Sequence, residues 1–294
     1  MVFIALCVIF TVATPNFLTV SNIKDVVRTN SINGLLAVGL TYVILAGGID
    51  LSVEATACLA GLAAGALSSN PIVAILAGLG IGVLVGLFNG LVLVKSGVQP
   101  FIFTLAMSRL VRGIVLAVTK GMNNYDLSPQ FTGIVKLELL GLPMLIILFV
   151  LIVIVSYLAL NKSKYGRYVY SVGSNEEASR LSGIRTSRIK VSTYLIAGVL
   201  SALAGIMLTA RLAAAETNAA EGWSLDAVSA VIIGGTSLRG GRGGILYTLI
   251  GIFLIAVLNN GMTLLGVPTC YNQLFKGVLM VIAVLLDTSS RKKD

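Results

Sequence analysis

The sequence contains no histidine, and this absence excludes several kinds of site at once. Without imidazole there is no Ser-His-Asp triad, no histidine general base and no histidine-containing zinc site. Cysteine is scarce too: Cys7, Cys58 and Cys270 lie far apart in apolar stretches, which argues against a disulfide framework or a metal site. The phosphate-binding pattern G-x-x-x-x-G-K-[ST] is also missing, so we expect no ATP hydrolysis by this chain alone.

Charged residues are also scarce. They make up 11% of the chain, against about 25% in ordinary soluble domains, while 56% of residues are hydrophobic and the mean hydropathy is +0.97. The apolar residues fall in blocks of roughly 18 to 24, a length that crosses about 30 Å of hydrocarbon. This composition predicts an all-α, polytopic membrane helix bundle. Ten spans are predicted, at 1–13, 31–47, 51–69, 72–94, 101–119, 142–160, 191–210, 224–237, 244–264 and 271–287, and the short eighth span is typical of a broken or tilted helix.

The net charge of +9 is better explained by membrane orientation than by nucleic-acid binding, because the basic residues cluster in short loops. The segment between spans six and seven is the most basic and is therefore predicted to be cytoplasmic. Thirteen basic residues then face the cytoplasm and five face outward, with both termini cytoplasmic. The thirteen are Lys95, Lys162, Lys164, Arg167, Arg180, Arg185, Arg188, Lys190, Arg239, Arg242, Arg291, Lys292 and Lys293; the five are Lys24, Arg28, Lys120, Lys136 and Arg211.

Glycines repeat every four residues along the fourth span and therefore line one face of a helix. In a membrane, such small residues allow a neighbouring helix to approach closely. We therefore assign a helix-packing role to Gly78, Gly82, Gly86 and Gly90.

Two series of motifs occur in the same order in the two halves of the chain, 1–141 and 142–294. GIDLS at 48–52 opens span three and GWSLD at 222–226 opens span eight, while Asn-Gly pairs end spans four and nine. Because the offset is five spans, matching elements would point in opposite directions across the membrane, as in an inverted-topology repeat. Coincidence among glycine-rich apolar segments is the alternative.

Residues 161–190 form the longest polar segment between spans. Glu176 to Leu181 are predicted to form a short helix, with Asn175 as N-cap, acidic residues in the first turn and Gly183 as the stop. Such a helix, held below the bilayer by two spans, is suited to docking on a soluble partner. A merely solvated loop is the alternative.

Several long motifs, in order along nearly the whole chain, resemble the permeases of ribose-type ABC importers. They include ILAGGIDLSV, FNGLVLVKSGVQPFIFTLAM, GRYVYSVGSNEEASRLSGI and LDAVSAVIIGGTSLRGGRGG. The resemblance places the chain in the branched-chain amino acid and sugar permease superfamily, with a type II ABC importer-like fold. It implies one permease domain spanning 1–294 in a bacterial inner membrane.

The resemblance also implies partners. These are a second permease copy, most simply as a homodimer, an ABC ATPase subunit with two nucleotide-binding cassettes that holds ATP and Mg, and a periplasmic sugar-binding protein. No cofactor and no nucleic acid is expected on this chain. The segment implied to couple to the ATPase comprises Asn175, Glu176, Glu177, Arg180, Leu181 and Gly183. One residue departs from the family pattern: Glu54 stands where the family usually has glycine, and at a subunit interface an acidic side chain would be costly.

Polar and aromatic residues near the span ends are our candidates for the translocation pathway or its gate. They are Asp50, Ser52, Asn89, Phe101, Asn259 and Asn260. For Asp50, capping of the third span is the alternative role. Arg109 and Arg112 are expected either to snorkel toward the membrane surface or to pair inside the bundle.

The resulting expectation is a non-catalytic permease subunit that moves a monosaccharide, ribose or a similar sugar, into the cytoplasm by alternating access. Two alternatives remain open: import of another neutral solute, such as a nucleoside or a furanosyl signal, and ion-coupled transport without an ATPase.

Overall fold

The computed structural model describes residues 2–139 and 141–268, together with residues 271, 274, 275, 277 and 278. The described helices are α1 (Val2–Ala13), α2 (Val20–Leu45), α3 (Val53–Ala66), α4 (Pro71–Ser96), α5 (Pro100–Thr119), α6 (Pro129–Gly133), α7 (Met144–Lys162), α8 (Lys164–Ser174), α9 (Glu176–Leu181), α10 (Thr186–Leu212), α11 (Trp223–Ile233) and α12 (Ile245–Leu264). A 3₁₀ turn at Ile134–Lys136 and two strands, β1 (Glu138–Leu139) and β2 (Leu142–Pro143), form an antiparallel hairpin region before α7.

The prediction of an all-helical membrane bundle is confirmed. Each of the first nine predicted spans contains one helix, namely α1 to α5, α7, α10, α11 and α12. Among the described residues, α4, α5, α7, α10 and α12 are long and apolar enough to cross a membrane. The tenth predicted span, 271–287, and Cys270 lie outside the described residues, apart from five positions of that span.

Helix α2 starts eleven residues earlier than the predicted span at 31–47. The hydroxyl of Thr19 accepts a hydrogen bond from the N–H of Asn22 at 3.3 Å, which caps the helix at this earlier point. The added turns contain Lys24, Asp25 and Arg28, so hydropathy alone placed them outside the span.

Helix α10 lies at the centre of the bundle and packs mainly on α2, α3 and α4. Helix α2 in turn packs on α11 and α12. Each of these two long helices therefore covers a pair of neighbouring helices from the other half of the sequence.

The four glycines at 78, 82, 86 and 90 place α4 directly against α10. A Cβ atom at Gly82 would overlap the carbonyl oxygen of Gly198, and one at Gly90 would lie 2.8 Å from the Cα of Val191. At 82, 86 and 90 only glycine permits this separation, because the helices there meet backbone to backbone, whereas Gly78 packs on the side chain of Ile206. Gly80, on the opposite side of α4, has open space at the same position.

Helices α3 and α11 are too short to cross the bilayer. Their 14 and 11 residues correspond to about 21 Å and about 17 Å, against about 30 Å of hydrocarbon. Helix α3 ends beside the far end of α10, where Gly65 contacts Ala215, whereas α11 ends beside the start of α12, where Gly234 contacts Tyr247. The two helices thus reach inward from opposite ends of the bundle, and their first turns meet inside it.

Candidate functional site

Three of the predicted pathway residues form one buried polar cluster at the start of α3. One carboxylate oxygen of Asp50 accepts hydrogen bonds from the N–H of Ser52 at 2.9 Å and from its hydroxyl at 2.6 Å. The amide nitrogen of Asn89, on α4, donates to the Ser52 hydroxyl at 2.8 Å and to the second Asp50 oxygen at 3.5 Å. All three side chains are at most 1% exposed. Asp50 therefore closes the turn that leads into α3, and the cluster ties that turn to α4.

Thr104, at the start of the second turn of α5, extends this cluster. Its hydroxyl accepts from the N–H of Leu51 at 3.1 Å and donates to the carbonyl of Pro100 at 2.8 Å. The turn at 46–52 is thereby bonded to α5 as well as to α4. We did not select Thr104 from the sequence, because a threonine at a helix start is most often only a local backbone partner.

The side chains of the other three predicted pathway residues are not part of this cluster. Asn260 forms a reciprocal amide pair with Asn22, at 2.9 and 2.7 Å, which joins the end of α12 to the start of α2. Its neighbour Asn259 has a buried side-chain oxygen with no hydrogen-bond partner among the residues that the structure describes. Phe101 lies beside the cluster, because its carbonyl accepts a hydrogen bond from the Thr104 hydroxyl at 3.4 Å, but its side chain is 45% exposed. The six residues are thus divided between the two ends of the bundle.

The predicted coupling segment folds into α8 and α9. The side-chain oxygen of Asn175 accepts from the N–H of Ala178 at 2.9 Å and caps α9, and Gly183, with φ 83°, follows its end. Arg180 donates to both carboxylate oxygens of Glu177, at 2.6 and 2.8 Å, and this contact raises the pKa of the Arg180 guanidinium. Leu181 is 79% exposed at the end of this charged helix.

The first residue of α9 is joined to α10 by an ion pair between Glu176 and Lys190. Both residues line a cleft of about 310 Å³ that also borders the 97–100 loop between α4 and α5. One turn along α10, the hydroxyl of Tyr194 donates to the carbonyl of Ile49 at 3.4 Å, next to Asp50. The polar segment and the Asp50 cluster therefore lie at the same end of the bundle.

A second contact joins the same end. The N–H of Gly241 donates to the carbonyl of Leu45 at 2.9 Å, and the hydroxyl of Tyr170 on α8 donates to the carbonyl of Gly243 at 3.0 Å. The glycine-rich 240–244 stretch is therefore a tight loop between α11 and α12 that packs on α8.

Comparison with known proteins identifies the family. The family model of the branched-chain amino acid transport system permease component matches residues 22–284. The chain belongs to this permease family. It is accordingly a multi-pass membrane protein of the transport class rather than an enzyme.

Curated relatives of the permease are similar over nearly its whole length. The ribose import permease protein of Bacillus subtilis is 45% identical over 98% of the chain and 90% of the relative. The ribose import permease protein of Escherichia coli K12 is 39% identical over 98% of the chain and 92% of the relative. The galactofuranose transporter permease protein of Escherichia coli K12 is 38% identical over 91% and 79%, respectively. No solved structure matches the permease.

The two arginines in α5 of the permease have different surroundings. Arg112 donates to the carbonyls of Thr217 and Ala219, at 3.1 and 3.2 Å, and so holds the loop between α10 and α11. Arg109 is exposed in the middle of the helix and makes no hydrogen bond or ion pair with any described residue. It shares its face with exposed apolar side chains, including Leu105 and Leu116.

Glu54, the residue that departs from the family pattern, is partly buried within one chain of the permease. Its carboxylate accepts from the N–H and the hydroxyl of Ser224, at 3.1 and 2.9 Å, in the first turn of α11. Sequence reasoning did not find this contact, because no local pattern links residues that are 170 positions apart.

Proposed function

We propose that the chain is the membrane subunit of an ATP-driven importer of ribose or a closely similar monosaccharide, working by alternating access. The observation that supports this most is the identity of 39–45% to ribose import permeases over 98% of the chain. A neutral sugar requires no counter-charge in the pathway, which fits the scarcity of buried acidic residues in the apolar helices.

The energy source in this proposal is a separate ATPase subunit with two cassettes, which binds ATP and Mg while this chain binds no cofactor. Helix α9 supports such a coupling, because it is charged, capped and exposed on the polar end of the bundle. Leu181 presents an apolar side chain, 79% exposed, beside the Glu177–Arg180 pair. An apolar anchor surrounded by charged groups is typical of the energetic centre of a protein interface.

A continuous set of contacts supports transmission from α9 to the pathway. Glu176 holds Lys190 at the start of α10, Tyr194 follows one turn later, and its hydroxyl reaches the turn that contains Asp50. A displacement of α9 would thereby act on the start of α3 and on α5 together. We propose that this turn is the cytoplasmic gate.

The second permease copy is proposed to cover the exposed face of α5. A charged side chain at the middle of a membrane helix costs several kcal/mol when it faces lipid, about 2.5–3.5 on insertion scales. Arg109 is at such a position and its face is exposed in the single chain. A homodimer with a water-filled passage along this face would hydrate Arg109, and the same passage would take the sugar.

The packing supports the inverted repeat expected from the sequence. Helix α10 covers α3 and α4, and α2 covers α11 and α12 in the corresponding way. The short helices α3 and α11 start opposite each other inside the bundle, as the discontinuous helices of inverted repeats do. We propose that α8 and α9 face the cytoplasm and that a periplasmic sugar-binding protein delivers substrate at the opposite end.

The test is reconstitution of the chain in proteoliposomes with its ATPase and a ribose-binding protein. We expect uptake of labelled ribose only when ATP, the ATPase and the ribose-binding protein are all present. Competition by nucleosides or by furanosyl compounds would redefine the substrate. Uptake by the chain alone, driven by an ion gradient, would overturn the ATP-driven mechanism.

The coupling role of α9 is tested separately by Leu181→Ala. We expect weaker co-purification of the ATPase, because the exposed apolar anchor is lost. Leu212→Ala, which removes a leucine that is 46% exposed at the other end of α10, is the matched control. Equal ATPase recovery with both variants would remove the assignment.

A further inference from the structure

One face of α10 remains partly open along the bundle. Ile196, Val199 and Leu203 are partly exposed, whereas most other residues of this central helix are buried. Their spacing of three and four residues places them in one stripe. This partly exposed stripe, which we call the groove, extends for about 11 Å along α10 and leads to Met207 and Ala210, which are buried.

The groove ends in a cavity of about 100 Å³. Its walls come from α4, α6, the following 3₁₀ turn, α7 and α10, and all its lining residues are apolar, with Phe131 and Leu145 at most 1% exposed. A water needs about 10–15 Å³ and two to four polar partners, so this cavity is large enough for water but offers it no partners. Protein interiors are close-packed, and a void of this size is rare without an occupant.

The sides of the groove face lipid. Helix α4 exposes Ile72 and Leu76, and α7 exposes Leu151 and Ile154, all at least 50% exposed. Ile75 on α4 and Leu148 on α7 both line the cavity and are both partly exposed, so the cavity opens through a slot between these two helices. The slot is therefore accessible from the hydrocarbon.

We propose that this groove and cavity bind one acyl chain of a membrane lipid, with the end of the chain beneath Phe131. An acyl chain matches the site in polarity, in its extended shape along the membrane normal and in its supply from the slot between α4 and α7. The site is separate from the Asp50 cluster and from α9, and it does not depend on the transported solute.

Brominated lipids provide the test, because bromine on an acyl chain quenches tryptophan fluorescence at short range. The reporter is Phe131→Trp in a Trp223→Phe background, since Trp223 is the only tryptophan of the chain. In bilayers of chain-brominated phosphatidylcholine we expect the reporter to lose most of its fluorescence relative to unbrominated bilayers. Adding Ala210→Leu, which fills the cavity, is expected to restore it.

Phe149→Trp in the same background is the control, because Phe149 is 4% exposed on α7 but faces Gly34 rather than the cavity. It should stay bright in both bilayers. If Ala210→Leu does not fold, Met207→Phe fills the same space. Absence of quenching at position 131, quenching that is unchanged by filling, or quenching by aqueous acrylamide instead of bromine would overturn the proposal.

Discussion

The carboxylate of Glu54, in the first turn of α3, accepts two hydrogen bonds from Ser224, in the first turn of α11. One carboxylate therefore lies at the positive ends of two helix dipoles that approach from opposite sides of the bundle. The acidic side chain expected to be costly at a subunit interface therefore has its partner in the same chain. It also makes the meeting point of the two half-length helices a bonded joint.

The joint gives a first prediction. Glu54→Ala should lower the free energy of unfolding by about 1.5–3 kcal/mol, the range for hydrogen bonds to charged groups. Thermal unfolding of the purified permease in detergent measures the change. Glu221→Ala, which removes an exposed carboxylate just before α11, should have no effect. In the double variant with Ser224→Ala, fully additive losses would contradict the contact.

The row of glycines along α4 gives a second prediction. Gly82→Ala should destabilise the fold by about 1–3 kcal/mol, because the new methyl group overlaps the backbone of α10. Gly80→Ala adds the same methyl group to the same helix in open space. It should be neutral or slightly stabilising, since alanine favours a helix by about 1 kcal/mol over glycine. Similar unfolding temperatures for the two variants would show that α4 and α10 are further apart.

The Asp50 cluster gives a third prediction. Asn89→Leu keeps the side-chain volume but removes the donor to Ser52 and Asp50, so we expect a loss of about 1–3 kcal/mol from polar groups left unpaired. If the cluster is also the gate, ATP hydrolysis should lose its dependence on the sugar-bound partner. Asn218→Leu, at an exposed position, serves as control. A variant with unchanged stability would exclude a structural role for the cluster.

The ion pair between Glu176 and Lys190 gives a fourth prediction. Lys190→Glu should reduce ATP-driven uptake, because two carboxylates would then repel each other between α9 and α10. The exchange variant, Glu176→Lys with Lys190→Glu, should recover uptake. Because both groups are partly exposed, the pair should weaken as salt rises. Recovery of uptake by the exchange variant would confirm the ion pair. If the exchange variant is as inactive as Lys190→Glu alone, Lys190 does not act through Glu176.

The features that the sequence predicts well are the local ones. The cap at Asn175, the stop at Gly183 and the glycine row of α4 each depend on residues within a few positions of one another. The positions of the pathway candidates depend on contacts between distant residues, which the sequence pattern cannot predict. Asp50 and Asn89 are bonded to each other, whereas Asn260 pairs with Asn22. Hydropathy also cannot place the start of α2, since a hydroxyl cap decides it. The number of spans beyond the ninth stays a prediction.

The close approach of α4 and α10 has a mechanical consequence. Where two backbones touch without side chains between them, there are no rotamers that can rearrange to let one helix slide past the other. We therefore expect α4 and α10 to move together as one rigid pair. Lys190 lies at one end of this rigid pair and Asn70 at the other, so a displacement of α9 that acts on Lys190 should move the loop at Asn70, at the opposite end of the bundle, by a similar amount.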